Sequence, residues 1–334
     1  MAVPKSYKNH IAEGKGILVF SIAFAAIMRL AYFFWDDTPV SGETSGYLWS
    51  PISIFFENSF YSLIASTVCV AGLALIAAQI NAVYLLIRRR TILPSAIIIL
   101  LFSCHPSFII MSPEYIGAVI IIFLISLLFG AYNSGNKQIP SFAIGFFLAL
   151  ASLFSPVLLL SFPFLWVGLA IMRCFNFKAF LATILGIVIV YFPTFSVFLF
   201  LDKLELFYAP FVSVTIGQLA DLPLLSFRIH EWIVMAFSII ILGVIISDNY
   251  INRHKDKIKI RAYLSLLTLI IFTSYLLFLL LNINPMMNLY IVLIVGGLLF
   301  AHFFALAENK STVILFYITG LFYFFVCLLP FLSL

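Results

Sequence analysis

Apolar residues in this chain neither alternate nor form stripes. They come in unbroken runs separated by short polar or proline-bearing breaks, near 16–35, 60–87, 91–108, 114–132, 141–155, 157–172, 178–201, 231–247, 262–282, 287–305 and 311–331. A helix that is apolar all round is buried in protein or in lipid, and about 20 such residues cross a hydrocarbon core of roughly 30 Å. The pattern therefore predicts an all-α polytopic transmembrane bundle of eleven spans. It forms a single integral membrane domain over 1–334, with no soluble domain attached.

Two of these runs are separated by little. Residues 141–172, taken as one helix, would reach about 48 Å, too long for an upright span. The segment LFSPVLLLSFP, with Pro156 and Pro163, supplies the breaks for a hairpin. Charge decides in favour of the hairpin. With eleven spans and a cytoplasmic N-terminus, 15 of the 18 basic residues fall inside: Lys5, Lys8, Lys15, Arg88, Arg89, Arg90, Lys137, Arg173, Lys178, Arg253, Lys255, Lys257, Lys259, Arg261 and Lys310. Merging the two runs would put NRHKDKIKIR (252–261) outside, against the preference for positive inner loops. The C-terminus is then outside, and 248–261 is a basic cytoplasmic loop.

Composition agrees with the runs. The chain is 64% hydrophobic and 9% charged with a mean hydropathy of +1.19, whereas soluble domains carry about 25% charged residues. Lys5, Lys8 and Lys15 with Ala23-Phe24-Ala25 imitate a signal peptide and its cleavage site, but the run continues through Ile27 to Trp35, so an uncleaved first span is expected. Cys69, Cys104, Cys174 and Cys327 stand singly without metal or redox spacing and read as small apolar fillers. The basic loops fit topology and anionic lipid headgroups; no nucleic-acid-binding signature accompanies them. Phosphate-binding glycine loops and zinc or redox motifs do not occur, and nothing names a cofactor or metal.

Candidate chemistry gathers on the other side. Nine of the thirteen acids fall on the outer face, an enrichment that insertion does not require. Arg29 lies within the first span, about 9 Å of helical rise before Trp35, and Asp36 and Asp37 follow directly. Such an arginine either snorkels or pairs structurally, or faces a cavity and binds an anion, with a neighbouring carboxylate as base. The outer loop 36–59, which also holds Glu43, turns from polar to apolar (YLWSPISIFF) and is fit to lie in the interface. His105 and Glu114 flank the second outer loop, HPSFIIMSPEY, either as acid–base groups or as parts of a structural turn. The longest outer loop, 202–230, is again acidic and aromatic and leads into Arg228, His230 and Glu231, a second cluster able to join the first in one cleft. His302 reads as a hydrogen-bonded packing residue.

The first span running into an acidic, then apolar, outer loop, the long outer loop before the eighth span, and the stretches 145–174 and 177–193 resemble the GT-C superfamily of integral-membrane glycosyltransferases. The pattern is also similar to a family of uncharacterised inner-membrane proteins of Bacteroidetes-type bacteria. The GT-C resemblance implies a polyprenyl-phosphate-linked substrate handled at the outer face of a bacterial inner membrane. It puts the catalytic carboxylate at Asp36 or Asp37, with Glu43 a further candidate. Arg29, Arg228 and His230 would hold phosphate. A non-enzymatic scaffold or accessory subunit of an envelope complex, contacting lipids and a membrane-protein partner, is the alternative. A transporter or lipid flippase is a third reading, opposed by the scarcity of polar groups within the spans.

Overall fold

A computed structural model describes residues 7–35, 46–89, 91–212, 229–280 and 285–332. All the regular structure among them is helical: α1 (Gly16–Trp35), α2 (Trp49–Ser53), α3 (Ser59–Tyr84), α4 (Leu93–Leu101), α5 (Pro113–Gly130), α6 (Gln138–Ser152), α7 (Phe162–Ile171), α8 (Phe177–Phe200), α9 (Leu204–Val212), α10 (Ile229–Ile251), α11 (Ile258–Leu280), α12 (Pro285–Ala305) and α13 (Lys310–Leu332). A π-helical turn, Lys8–Ala12, precedes α1. Seven of the helices (α1, α3, α5, α8, α11, α12 and α13) are long and apolar enough to cross a membrane. That is the mark of a multi-pass helical membrane protein.

The helix boundaries follow local chemistry. Asn58 caps α3 by accepting the Phe60 N–H at 2.9 Å, and Asn176 caps α8 by accepting that of Ala179 at 2.7 Å. Prolines open α4 and α5, where their missing N–H is harmless. Buried Asn81 closes the turn between α3 and α4. Its amide donates to Thr91 O at 3.1 Å, and its carbonyl accepts the Ile87 N–H at 2.9 Å.

The central element is α12, whose whole apolar window is buried. Around it pack α4, α5, α10 and α11. At the opposite extreme, α8 buries only 11% of its window and is held mainly by α6. There the two backbones nearly touch at Gly145 and Gly186: a Cβ on Gly145 would lie 2.1 Å from Thr183 O, and one on Gly186 would lie 2.5 Å from Phe142 O. Small residues at a membrane-helix interface permit this approach.

Four of the eleven expected spans are not among these seven: Gln138–Ser152, Pro156–Ile171 and Met235–Ile251 are shorter apolar helices, and a fourth departs furthest from a span. The run 91–108 is helical only over Leu93–Leu101, nine residues or about 14 Å of rise. It continues as turns and a 3-10 helix, Pro106–Phe108. Hydropathy cannot separate this shape from a span, because α4 is apolar on every side and enclosed by α1, α3 and α12.

Contacts sort the connections into two ends. At one end, Arg89 pairs with Glu13 at 3.5 Å, Arg88 with Asp256 at 2.6 Å and Lys255 with Glu308 at 2.7 Å. Lys259 sits 5.9 Å from the Tyr132 ring centre, and Asn133 N–H donates to Met172 O at 3.0 Å. At the other end, Gly46 and Leu48 N–H groups donate to Phe154 O and Leu153 O at 3.0 and 3.2 Å, and Tyr47 stacks on Phe207 at 5.7 Å.

Candidate functional site

Arg29 answers to a need created by the short helix α4. Non-helical backbone at membrane depth persists only where protein or trapped water satisfies its polar groups. The segment 102–112 is satisfied by side chains from neighbouring helices. Arg29 Nη2 donates to Phe108 O at 2.6 Å, with Ser66 Oγ and Tyr115 OH each 3.3 Å away. The Tyr115 hydroxyl also donates to Phe108 O, and Ser66 donates to Ile109 O. Met111 N–H donates to Ser62 Oγ at 2.6 Å. From α1, the Tyr32 hydroxyl reaches Cys104 O at 3.3 Å and Cys327 O at 2.6 Å.

The guanidinium is therefore turned into the bundle and does not snorkel; the residue is 4% exposed. Only Nη2 is used. Nε and Nη1 are buried without a hydrogen-bond partner among the described residues. Beside the guanidinium stands a tight group of rings, Phe102, Phe108, Tyr115 and Tyr290, with Tyr290 centred 5.0 Å from Tyr115 and 5.2 Å from Phe108. Unused N–H groups of a charged guanidinium in apolar surroundings are expensive to keep unless an acceptor meets them.

The other sequence candidates fall into three groups. His105 and Glu114 lie at the two ends of the segment that Arg29 clasps, and both are buried. His105 Nδ1 accepts the Ser107 N–H at 3.2 Å, and Glu114 occupies the first turn of α5, where the helix dipole favours a carboxylate. Asp36, Asp37, Glu43 and Arg228 lie outside the described residues. His230 and Glu231 belong to the first turn of α10, with side chains also outside them. The described parts of the two long loops expected on the outer face do meet. Tyr47 stacks on Phe207 and its hydroxyl donates to Phe207 O, while Gly46 lies so close to Leu153 O that a Cβ would sit 2.2 Å from it. Trp49 is buried, whereas Ile54 and Phe55, which follow it, are exposed.

Sequence reasoning missed a second polar constellation, at the basic end. A cavity of about 270 Å³ opens between α10, the 252–257 turn, α12 and the start of α13. Arg88 Nε and Nη2 both donate to Asp256 Oδ1, at 3.1 and 2.6 Å, and Asp256 is 7% exposed. Arg261 Nε donates to the Asp256 carbonyl at 2.7 Å, bracing the turn. Lys255 holds the Glu308 carboxyl below its ordinary range by hydrogen bond and charge. His302 borders the cavity, and both its ring nitrogens lack a hydrogen-bond partner among the described residues, contrary to the expectation of a hydrogen-bonded packing residue. The available signal was one aspartate inside an otherwise basic run, facing a histidine at the end of a span. No group of three or more metal-ligating side chains gathers among the described residues. Comparison with family models, with curated proteins and with solved structures returns no match.

Proposed function

We propose that the chain is a GT-C-like glycosyltransferase of the bacterial inner membrane, acting on a polyprenyl-phosphate-linked substrate at its outer face. The observation that carries this reading is the Arg29 guanidinium, buried with Nε and Nη1 unused, on the helix that leads directly into Asp36 and Asp37. These free N–H groups can each donate to a phosphate oxygen, and a guanidinium stabilises charge developing on a leaving phosphate. Asp36 or Asp37 would take the proton from the acceptor hydroxyl. Arg228 and His230 would add phosphate contacts, with Glu43, Glu231, His105 and Glu114 around them. The topology belonging to this reading has eleven crossings, the N-terminus cytoplasmic and the C-terminus outside. Its support is that basic connections meet at one end of the bundle, which insertion retains in the cytoplasm. Thiol labelling of Gly135→Cys from the inside only, and of Ser53→Cys from the outside only, is the expected pattern; the reverse would sink the orientation.

The decisive assay is transfer of labelled sugar from a polyprenyl-phosphate donor in membrane vesicles, alongside membrane abundance. Asp36→Ala or Asp37→Ala should abolish transfer at unchanged abundance. Arg29→Lys, which keeps the charge but loses the fork, should lower it severely. Full activity in the Asp36/Asp37 double variant would end the proposal.

A second reading, an accessory subunit of an envelope complex, is favoured by α8, only 11% of whose apolar window is buried. It requires a stoichiometric partner retained in mild detergent; a lone monomer would count against it.

A further inference from the structure

The cavity at the basic end lies on the opposite side of the bundle from Arg29, and its inference stands independently of the proposed transferase. Its unused groups identify what it can hold. His302 is 3% exposed, borders the cavity, and makes no hydrogen bond to the described residues through either ring nitrogen. Its Nε2 lies 3.9 Å from Asp256 Oδ1, too far for a hydrogen bond, because that oxygen is already taken by two donors of Arg88. The Nδ2 amide of Asn249, also on the cavity wall, is buried without a partner.

Each carboxylate of the lining already takes a donor, whereas two buried donors of the wall have no acceptor among the described residues. Asp248 accepts from Asn252 at 2.9 Å, Asp256 from Arg88, and Glu308 from Lys255 at 2.7 Å. A neutral imidazole offers one N–H, the Asn249 amide offers its N–H groups, and Arg88 and Lys255 carry N–H groups beyond those bonded to Asp256 and Glu308. A ligand that brings oxygens would meet these donors. The lining charges balance, Arg88, Arg89 and Lys255 against Asp248, Asp256 and Glu308, so binding rests on directed hydrogen bonds more than on net attraction. A volume of about 270 Å³ equals the share of about nine liquid waters, enough for a phosphate group with a small polyol and too little for a nucleotide.

From these observations we infer that this cavity binds a small phosphate monoester or diester head, with the His302 N–H, the Asn249 amide and the Arg88–Lys255 edge as donors. The same chemistry comes from two sources, the headgroup of an anionic phospholipid or a free phosphoester in water.

The test uses the full chain in nanodiscs of zwitterionic phosphatidylcholine, with or without phosphatidylglycerol, and with glycerol phosphate or inorganic phosphate added at constant ionic strength. Thermal stability and, for the added phosphates, calorimetric binding are read. The variants are His302→Leu and Asn249→Ala, which remove donors, and His302→Gln, which restores an N–H. Saturable stabilisation by added glycerol phosphate in neutral discs, with the dissociation constant raised at least tenfold by His302→Leu and recovered by His302→Gln, establishes the soluble ligand. Stabilisation by phosphatidylglycerol alone, with the same variant pattern, establishes the lipid headgroup. If neither stabilises the protein, the cavity holds only water and the inference is wrong. Equal stabilisation of parent and donor-less variants would mean charge screening and overturn it as well.

Discussion

The seam between α6 and α8 makes a sharp prediction because two glycines with the same chemistry should respond with opposite sign. A methyl group on Gly145 would sit 2.1 Å from Thr183 O and 2.9 Å from that residue's Cα. These atoms are helix backbone, so no side-chain rotation relieves the overlap, and α8 must retreat by about 1 Å to restore a tolerable 3.0 Å. A gap of that size forfeits a quarter to a half of each dispersion contact it opens. It also strains the 3.0 Å bond from Trp166 Nε1 to Thr183 and the 2.7 Å bond between Ser152 and Tyr191 that tie the helices together. Overpacking of this kind costs about 1–3 kcal/mol, and contact with backbone places Gly145→Ala near the upper end. Helix propensity returns about 1 kcal/mol, leaving a net loss of about 2 kcal/mol. Gly72 in α3 has nothing within 4 Å of an added Cβ, so Gly72→Ala keeps the propensity gain of up to about 1 kcal/mol. Unfolding midpoints in one detergent, followed by loss of the monodisperse peak on size exclusion, should move down for Gly145→Ala and level or up for Gly72→Ala. The packing argument fails if Gly145→Ala matches or exceeds the parent, or if both variants fall equally.

Two further outcomes are expected. Tyr32→Phe leaves Cys327 O and Cys104 O without their shared hydroxyl donor and should lower stability by about 1 kcal/mol; no loss would show that neighbouring groups take over. Lys255 depresses the Glu308 carboxyl, so their pair contributes above the ordinary glutamate range and is lost as pH falls through and below it. With Glu308 65% exposed and water screening the pair, Glu308→Gln should cost at most about 0.5 kcal/mol at pH 7 and progressively less as acid protonates the carboxyl, read as a difference in unfolding midpoints; a deficit that does not shrink in acid would refute an ionic origin.

Hydropathy located nearly every helix, because lipid-facing and core-facing residues of such a bundle are equally apolar. For the same reason it could not tell the nine-residue α4 from a full span. Arg29 was legible as a group needing a partner, but the partner it found, Phe108 O, is a backbone carbonyl 79 residues away, and no side-chain pattern announces a backbone acceptor. The cavity at the basic end was invisible for a related reason. Arg88, Asp256 and His302 are unremarkable within their own segments and acquire meaning only when three connections converge. Gly145 and Gly186 likewise read as isolated glycines until their helices cross.

The stunted α4 has a consequence for how the chain is made. As it emerges, residues 91–112 are apolar enough to enter the bilayer, yet the irregular half of that segment cannot face lipid with its carbonyls bare. Its satisfying groups come from α1, α3 and α5, and the enclosing wall comes from α12, which does not exist until residue 305 has been synthesised. The early segment must therefore wait, either as a provisional full helix or shielded by a helper protein, and unwind when α12 arrives. Assembly order in this bundle runs against chain order, and a ribosome-stalled fragment ending before α12 should hold 102–108 in a conformation different from that of the finished protein.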